Sequence, residues 1–514
     1  MAIARAMSSP QASDAVTNRD VAKGAGTTLI ARLGSVIDIV AQPLYVWLFG
    51  LAGYGLYAVL WATVNLIENI ADLGQTSALQ RTVPQAQSER DAVYSLRTAM
   101  LLGVGPCIAI AALTSLFAPA LTHVFNAADA DAGRLAHIIA VFAWALPLWA
   151  FVEVGTSALR ARRVFAAEIR LRLFWEQVTR LAFAIGFWAA GFGTLSLFYA
   201  HVASLAAMCV LCVRLMARHY DLRLLAAVPD SVSMFGDTLK AGLAVLPANI
   251  VQRAFGDAPA LALNAWIPGA AGAAAGGLFT IARKVSSLVQ LVRTTFAYVL
   301  APLASAAARD TEGQVRPIYG FATRVSFAVA VPMAAVLGAG SPAVLRVFGP
   351  EAAMATMALI AMTVARAIEA ILGAATPIQQ VIGGYRGQMI GSVAGIALAA
   401  LIAWYSVPDH GLSAMAWAVA AGLIVAALIP VIQLEYYEGI HPFARPFGRM
   451  AMTAMAVSAA GFLFGLAATR LPFVAQLPVL LLILLAALWL TLRLALPLED
   501  REALGKTGRA LRLA

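Results

Sequence analysis

The chain has 514 residues, of which 61% are apolar and only 12% charged, with a formal net charge of +10. Soluble domains are nearer half apolar and a quarter charged, so this composition excludes a single water-soluble globule. Lipid must be the solvent for much of the surface, and the 40 glycines suit close helix–helix approach inside it.

Residues 1–23 are polar, with no apolar run ending in a small-residue cleavage site, so a polar cytoplasmic N-terminus without a removable signal is expected. Apolar runs of about 20 residues, the length that crosses a bilayer, then follow in chain order. They fall near 26–48, 54–78, 97–120, 135–156, 172–192 and 194–216. After a polar linker at 219–239 the series resumes near 240–266, 275–303, 320–343, 353–375, 388–406 and 412–434. Two more runs, near 450–469 and 474–495, close it. The pattern predicts an all-α polytopic membrane protein with about fourteen transmembrane helices, numbered here as spans 1–14. Spans 1–6 form a first lobe over 24–218, spans 7–12 a second over 240–436, and spans 13–14 an appendage over 449–495.

Loop charge orients this array. With the N-terminus inside, Arg81, Arg90, Arg160, Arg162, Arg163, Arg218, Arg309, Arg316, Arg386, Arg445 and Arg449 share one side, whereas Arg134, Arg346 and Arg470 lie on the other. The positive-inside rule then predicts both termini in the cytoplasm, and the basic rim beside anionic lipid accounts for the net charge without nucleic acid. No loop exceeds about 25 residues, which leaves no room for a soluble catalytic module. The tail, 496–514, reads as a short basic amphipathic helix on the inner surface. Its Gly505-Lys506-Thr507 is only the end of a P-loop pattern, with no strand before it, so nucleotide binding is not expected. Cys107, Cys209 and Cys212 sit in apolar runs, and a single C-x-x-C without a second pair reads as packing rather than a metal site.

An internal repeat is visible. Gly55-Leu56-Tyr57-Ala58 opens span 2 and Gly277-Leu278-Phe279-Thr280 opens span 8, and at the same offset Asn65 falls on Ser287 and Glu68 on Gln290. A six-plus-six duplication into two pseudo-symmetric lobes is a recurrent transporter plan.

Charges at mid-bilayer cost about 2.5–3.5 kcal/mol each on insertion scales, so they face protein or water and tend to be functional. Here they cluster. Span 1 carries Arg32 and Asp38; span 2 carries Asn65, Glu68 and Asp72 at i, i+3 and i+7, one helical face. Span 7 carries Asn249, Gln252, Arg253, Asp257 and Asn264 in one stripe; span 8 carries Thr280, Arg283, Lys284, Ser287, Gln290 and Thr294, plus Arg293. Spans 1, 2, 7 and 8 hold equivalent places in the two halves. Arg32, Asp38, Glu68 and Asp72 also read as ion pairs that hold one lobe together, whereas the cation excess of spans 7–8 calls for an anionic guest or water. Arg172, Glu176 and Arg180 in span 5 share a face and fit a simple salt bridge or snorkelling. Glu153, and Arg366 with Glu369, sit towards inner span ends, and His201 reads as a packed residue. Pro43 and Pro247 mark hinges or static kinks in the first span of each half.

Residues 26–85 resemble the N-terminal signature of bacterial polysaccharide (O-antigen type) flippases, in the multidrug/oligosaccharidyl-lipid/polysaccharide exporter superfamily. The likeness rests on Tyr54-Gly55-Leu56-Tyr57 after a Gly-rich turn, then Asp72-Leu73-Gly74 with Arg81 following. It implies two six-helix lobes in a V around a central, often cationic cavity, with spans 13 and 14 appended. It also implies a substrate: a glycan on a polyprenyl diphosphate, usually undecaprenyl, flipped from the inner to the outer leaflet of the bacterial inner membrane, alongside other polysaccharide assembly proteins. On that reading Arg32, Arg253, Arg283, Lys284 and Arg293 replace the hydration of the diphosphate. Asn65, Asn249, Gln252 and Gln290 bond sugar hydroxyls, and Asp38, Glu68, Asp72 or Asp257 takes a coupling H+ or Na+. No other cofactor is expected. The rival readings are a cation-coupled multidrug antiporter, for which carboxylates should dominate the site, a lipid II flippase, and a membrane-embedded glycan polymerase or ligase, which would need a larger outer loop.

Overall fold

A computed structural model describes residues 35–164, 169–226, 234–310, 315–382, 385–443 and 447–513. All regular elements among them are helical, as a hydrocarbon solvent that offers no hydrogen bonds requires. Nine helices among the described residues are long and apolar enough to cross a bilayer, and the chain is a multi-pass membrane protein.

Each expected span has a helical counterpart. Spans 1 and 2 run together as Ser35–Ala71, broken at Gly50, whose φ of 72° and ψ of 162° suit only glycine. Spans 11 and 12 share Tyr385–Glu438 across Gly411, with φ 54° and ψ −128°. Gly50 is thus the turn between spans 1 and 2, and Pro43 lies within the helical stretch before it. Span 5 opens as a π-helical turn, Ile169–Trp175, before Glu176–Ala189. Spans 7 and 8 are longer than expected, Met234–Trp266 and Gly269–Asp310. Span 10 is Thr356–Leu372.

The halves meet at both ends of the bundle. The sequence-repeat partners Gly55 and Gly277 are also partners in space: a Cβ on Gly277 would stand 2.8 Å from the Gly55 Cα, and one on Gly55 would collide with the Ala273 carbonyl. Only the absence of side chains lets spans 2 and 8 cross this closely. Nearby, Asn126 and Asn264 clasp each other. The Asn126 N–H and Nδ2 donate to the Asn264 Oδ1 and carbonyl at 3.0 and 2.7 Å, and the Asn264 Nδ2 donates to the Asn126 carbonyl at 2.8 Å. At the arginine-rich end Gly74 lies against the Gly242 carbonyl, where any side chain would clash.

The tail, expected as one short amphipathic helix, is divided in two and packs on the bundle. It forms two short helices, Leu498–Ala503 and Gly505–Ala510. Asp500, 1% exposed, accepts from the Arg324 Nε and Nη2 of span 9 at 2.5 and 2.8 Å. The Trp489 Nε1 of span 14 donates to the Leu511 carbonyl at 2.9 Å. A buried acid with a bidentate arginine holds the tail to the protein.

Candidate functional site

A cavity of about 470 Å³ opens between the two halves. The first half contributes Asn69, Thr76 and Ser77; the second contributes Asn249, Arg253, Asp257, Arg283, Gln290, Arg293, Arg366, Glu369, Thr376, Gln388 and Ser392. Helical spacing aims these groups together. Asn249, Arg253 and Asp257 recur every fourth residue along span 7, while Arg366 and Glu369 stand one turn apart in span 10. Gly373, just past span 10, leaves room for the Arg293 stem, whose Cγ and Cδ would lie 2.9 Å from a Cβ there.

Four arginines face two carboxylates in this lining. Glu369 takes Arg293 on one oxygen and the Arg366 Nη1 on the other, the latter at 2.6 Å. Asp257 faces the Arg283 Nη2 at 3.4 Å. The Arg253 Nη2 reaches across the halves to the Glu153 Oε1 at 3.9 Å. The amides of Asn249 and Gln290 hold no hydrogen bond among the described residues and stay open to a guest. Guanidinium groups offer planar, paired donors that match phosphate oxygens, and amides beside them match hydroxyls. Among the described residues no three His, Cys, Asp or Glu side chains are grouped to hold a metal ion.

Six of the expected site residues line this space: Asn249, Arg253, Asp257, Arg283, Gln290 and Arg293. Others do not. Asn65, Glu68 and Asp72 are buried at 7, 2 and 3% exposure. Asp72 accepts from the Gly74 N–H at 2.8 Å and the Thr76 Oγ1 at 3.2 Å, stitching the turn into the next helix, Gln75–Gln85. Lys284 is half-buried beside the lining without joining it. Arg32 lies outside the described residues, as do the side chains of Asp38 and Gln252.

The polar groups of the first half are largely spent on one another. The Arg172 Nη1 and Nη2 donate to the Glu153 Oε2 and Oε1 at 3.0 and 2.6 Å, and its guanidinium lies 4.7 Å over the Trp149 ring. Buried Tyr57 shares a 2.8 Å hydrogen bond with the His201 Nδ1 and accepts from the Arg180 Nη1 at 3.3 Å. The Trp61 ring lies tilted against His201, centroids 4.2 Å apart. Arg366 and Glu369 enter the cavity although their sequence position pointed to an inner span end; their i, i+3 spacing was the available signal. Neutral Asn69, Thr76, Ser77, Gln388 and Ser392 carried none.

A family model described as polysaccharide biosynthesis protein matches residues 48–351, more than half of the chain. The chain belongs to that family. No curated protein sequence matches it. Among solved structures, the lipid II flippase MurJ in an inward closed conformation superposes with a TM-score of 0.71 at 13% identity, over 90% of this chain and 97% of that one. An inward-facing multidrug resistance MATE family transporter of the MOP superfamily gives 0.62 at 18%, over 80 and 93%. A MOP superfamily transporter from Pyrococcus furiosus, described as having a binding pocket of reverse polarity, gives 0.59 at 16%, over 81 and 95%. At these identities the likeness is one of fold: this member of the polysaccharide biosynthesis family shares its fold with MurJ and the MATE family transporter.

Proposed function

We propose that the protein is a flippase that carries a polyprenyl-diphosphate-linked oligosaccharide, the repeat unit of a polysaccharide or lipopolysaccharide, from the inner to the outer leaflet by alternating access. The observation that carries this reading is the arginine excess of the inter-half cavity, set beside open amides. A naked diphosphate meets a barrier in hydrocarbon of many times thermal energy. Arg253, Arg283, Arg293 and Arg366 supply the charge that water would otherwise supply, and Asn249 and Gln290 meet sugar hydroxyls. The lipid carrier is undecaprenyl, the membrane is the bacterial inner membrane, and both termini lie in the cytoplasm. Asp38, Glu68, Asp72 and Asp257 are the candidates for coupling to a H+ or Na+ gradient, and other polysaccharide assembly proteins are the expected neighbours.

A multidrug antiporter shares the fold, but an organic cation would be repelled by four cavity arginines against two carboxylates. Translocation of undecaprenyl-diphosphate oligosaccharide in proteoliposomes tests the proposal. Transport by the wild type that is lost in a normally inserted Arg283→Gln/Arg293→Gln variant supports it. Failure with several lipid-linked glycans, together with export of organic cations against a proton or sodium gradient, replaces it with the antiporter.

A further inference from the structure

Two of the four cavity arginines are tied to each other. Arg293 of span 8 and Arg366 of span 10 share one carboxylate, Glu369, which gives an oxygen to each. Its Oε1 accepts from the Arg293 Nη1, and its Oε2 accepts from the Arg366 Nη1 at 2.6 Å. The other two arginines lean on separate acids at longer range, Arg283 on Asp257 at 3.4 Å and Arg253 on Glu153 at 3.9 Å.

Two guanidinium groups repel and would part if nothing lay between them. An ionised carboxylate has two acceptor oxygens and no donor, so it can hold one arginine on each side. Glu369 is 6% exposed, which leaves little water to compete for those oxygens. Arg366 reaches it from one turn away on the same helix, and the missing side chain of Gly373 gives the Arg293 stem its place. Among the described residues each arginine makes no hydrogen bond but the one to Glu369, and the Arg366 Nε is buried without a partner. Each guanidinium carries five N–H donors, so most of both remain for a guest in the cavity they line.

We propose that Glu369 is a positioning residue, which holds Arg293 and Arg366 side by side as a clamp with one guanidinium for each of two adjacent phosphate groups. The clamp gives the cavity a preference for a diphosphate over a monophosphate. This rests on the lipid-diphosphate reading of the cavity and names the arginines that read the second phosphate. Two cations on one acid leave a surplus positive charge, which a phosphate balances and a neutral sugar does not. All three side chains belong to the second half, so the clamp stays whole when the halves move against each other, unlike the Arg253–Glu153 contact that spans them.

The test is the ratio of the dissociation constants of undecaprenyl phosphate and undecaprenyl diphosphate, measured on the full-length protein in nanodiscs. The wild type should prefer the diphosphate by at least about tenfold, the worth of one further charge-assisted contact. Glu369→Gln keeps the shape but offers one oxygen and turns its NH2 on the other arginine. It should lower the ratio to about threefold or less by weakening the diphosphate, with the monophosphate changed by about twofold at most. A merely structural role would weaken both lipids alike and leave the ratio unmoved. Gly373→Ala displaces the Arg293 stem with every charge in place; it should lower the ratio too, and it decides the matter if Glu369→Gln does not fold. A ratio kept in these variants, or a wild type that binds both lipids equally, overturns the clamp and leaves the flippase reading standing. A wild type that binds neither lipid brings down both.

Discussion

The two halves of this protein carry similar polar stripes on their membrane helices and use them in opposite ways. In the first half the stripe of span 2 is buried: Asp72 caps a turn, and the Tyr57 hydroxyl bonds both His201 and Arg180. In the second half the stripes of spans 7, 8 and 10 face the cavity, with Asn249 and Gln290 unbonded among the described residues and arginines in excess. A membrane helix must satisfy its polar groups, but packing against protein and facing a water-filled cavity both do so. The first solution gives stability, and the second leaves binding capacity.

That contrast can be broken by exchanging the readouts. The largest effect is expected from Glu153→Ala, which leaves half-buried Arg172 without its carboxylate at a cost of about 3 kcal/mol. Thermal unfolding in detergent should fall steeply; unchanged stability would remove the distinction between the halves. Next comes the Arg283→Gln/Arg293→Gln pair in the second half. It should reduce lipid-linked glycan translocation about a hundredfold or more, as two charge-assisted contacts are lost, with only a small shift in the unfolding midpoint. Stability loss without transport loss would make those arginines structural.

Smaller substitutions sharpen the same comparison. Tyr57→Phe removes the hydroxyl shared by His201 and Arg180 and should cost about 1–2 kcal/mol of stability while transport by the remaining folded protein is kept. Gln290→Ala should do the reverse on a smaller scale, slowing transport about threefold at unchanged stability, as one neutral hydrogen bond to a sugar is lost. A specific transport defect in the first, or a folding defect in the second, would show that the halves do not divide the work as described.

The fold was largely legible because its determinants are local and additive. Span length and the Gly55/Gly277 repeat need no partner to be read, and those glycines also meet in space. The site was legible in part. Arg253, Arg283 and Arg293 stand out as costly charges in apolar runs, and they do line the cavity. Glu68 and Asp72 stand out for the same reason and are buried away from it. Spacing places side chains on one face of a helix but does not say what that face meets.

The sequence by itself therefore determined the solvent, the spans, the duplication and the surplus of cations in the second half, since each follows from residue type and period. Only the tertiary structure decided which stripe is spent on packing and which stays open. It brought Arg366 and Glu369 from span 10 onto Arg293, made room for that arginine at Gly373, and set Arg253 against Glu153 of the other half. Those outcomes depend on how helices cross and rotate against one another, and that is fixed by packing between residues far apart in the chain.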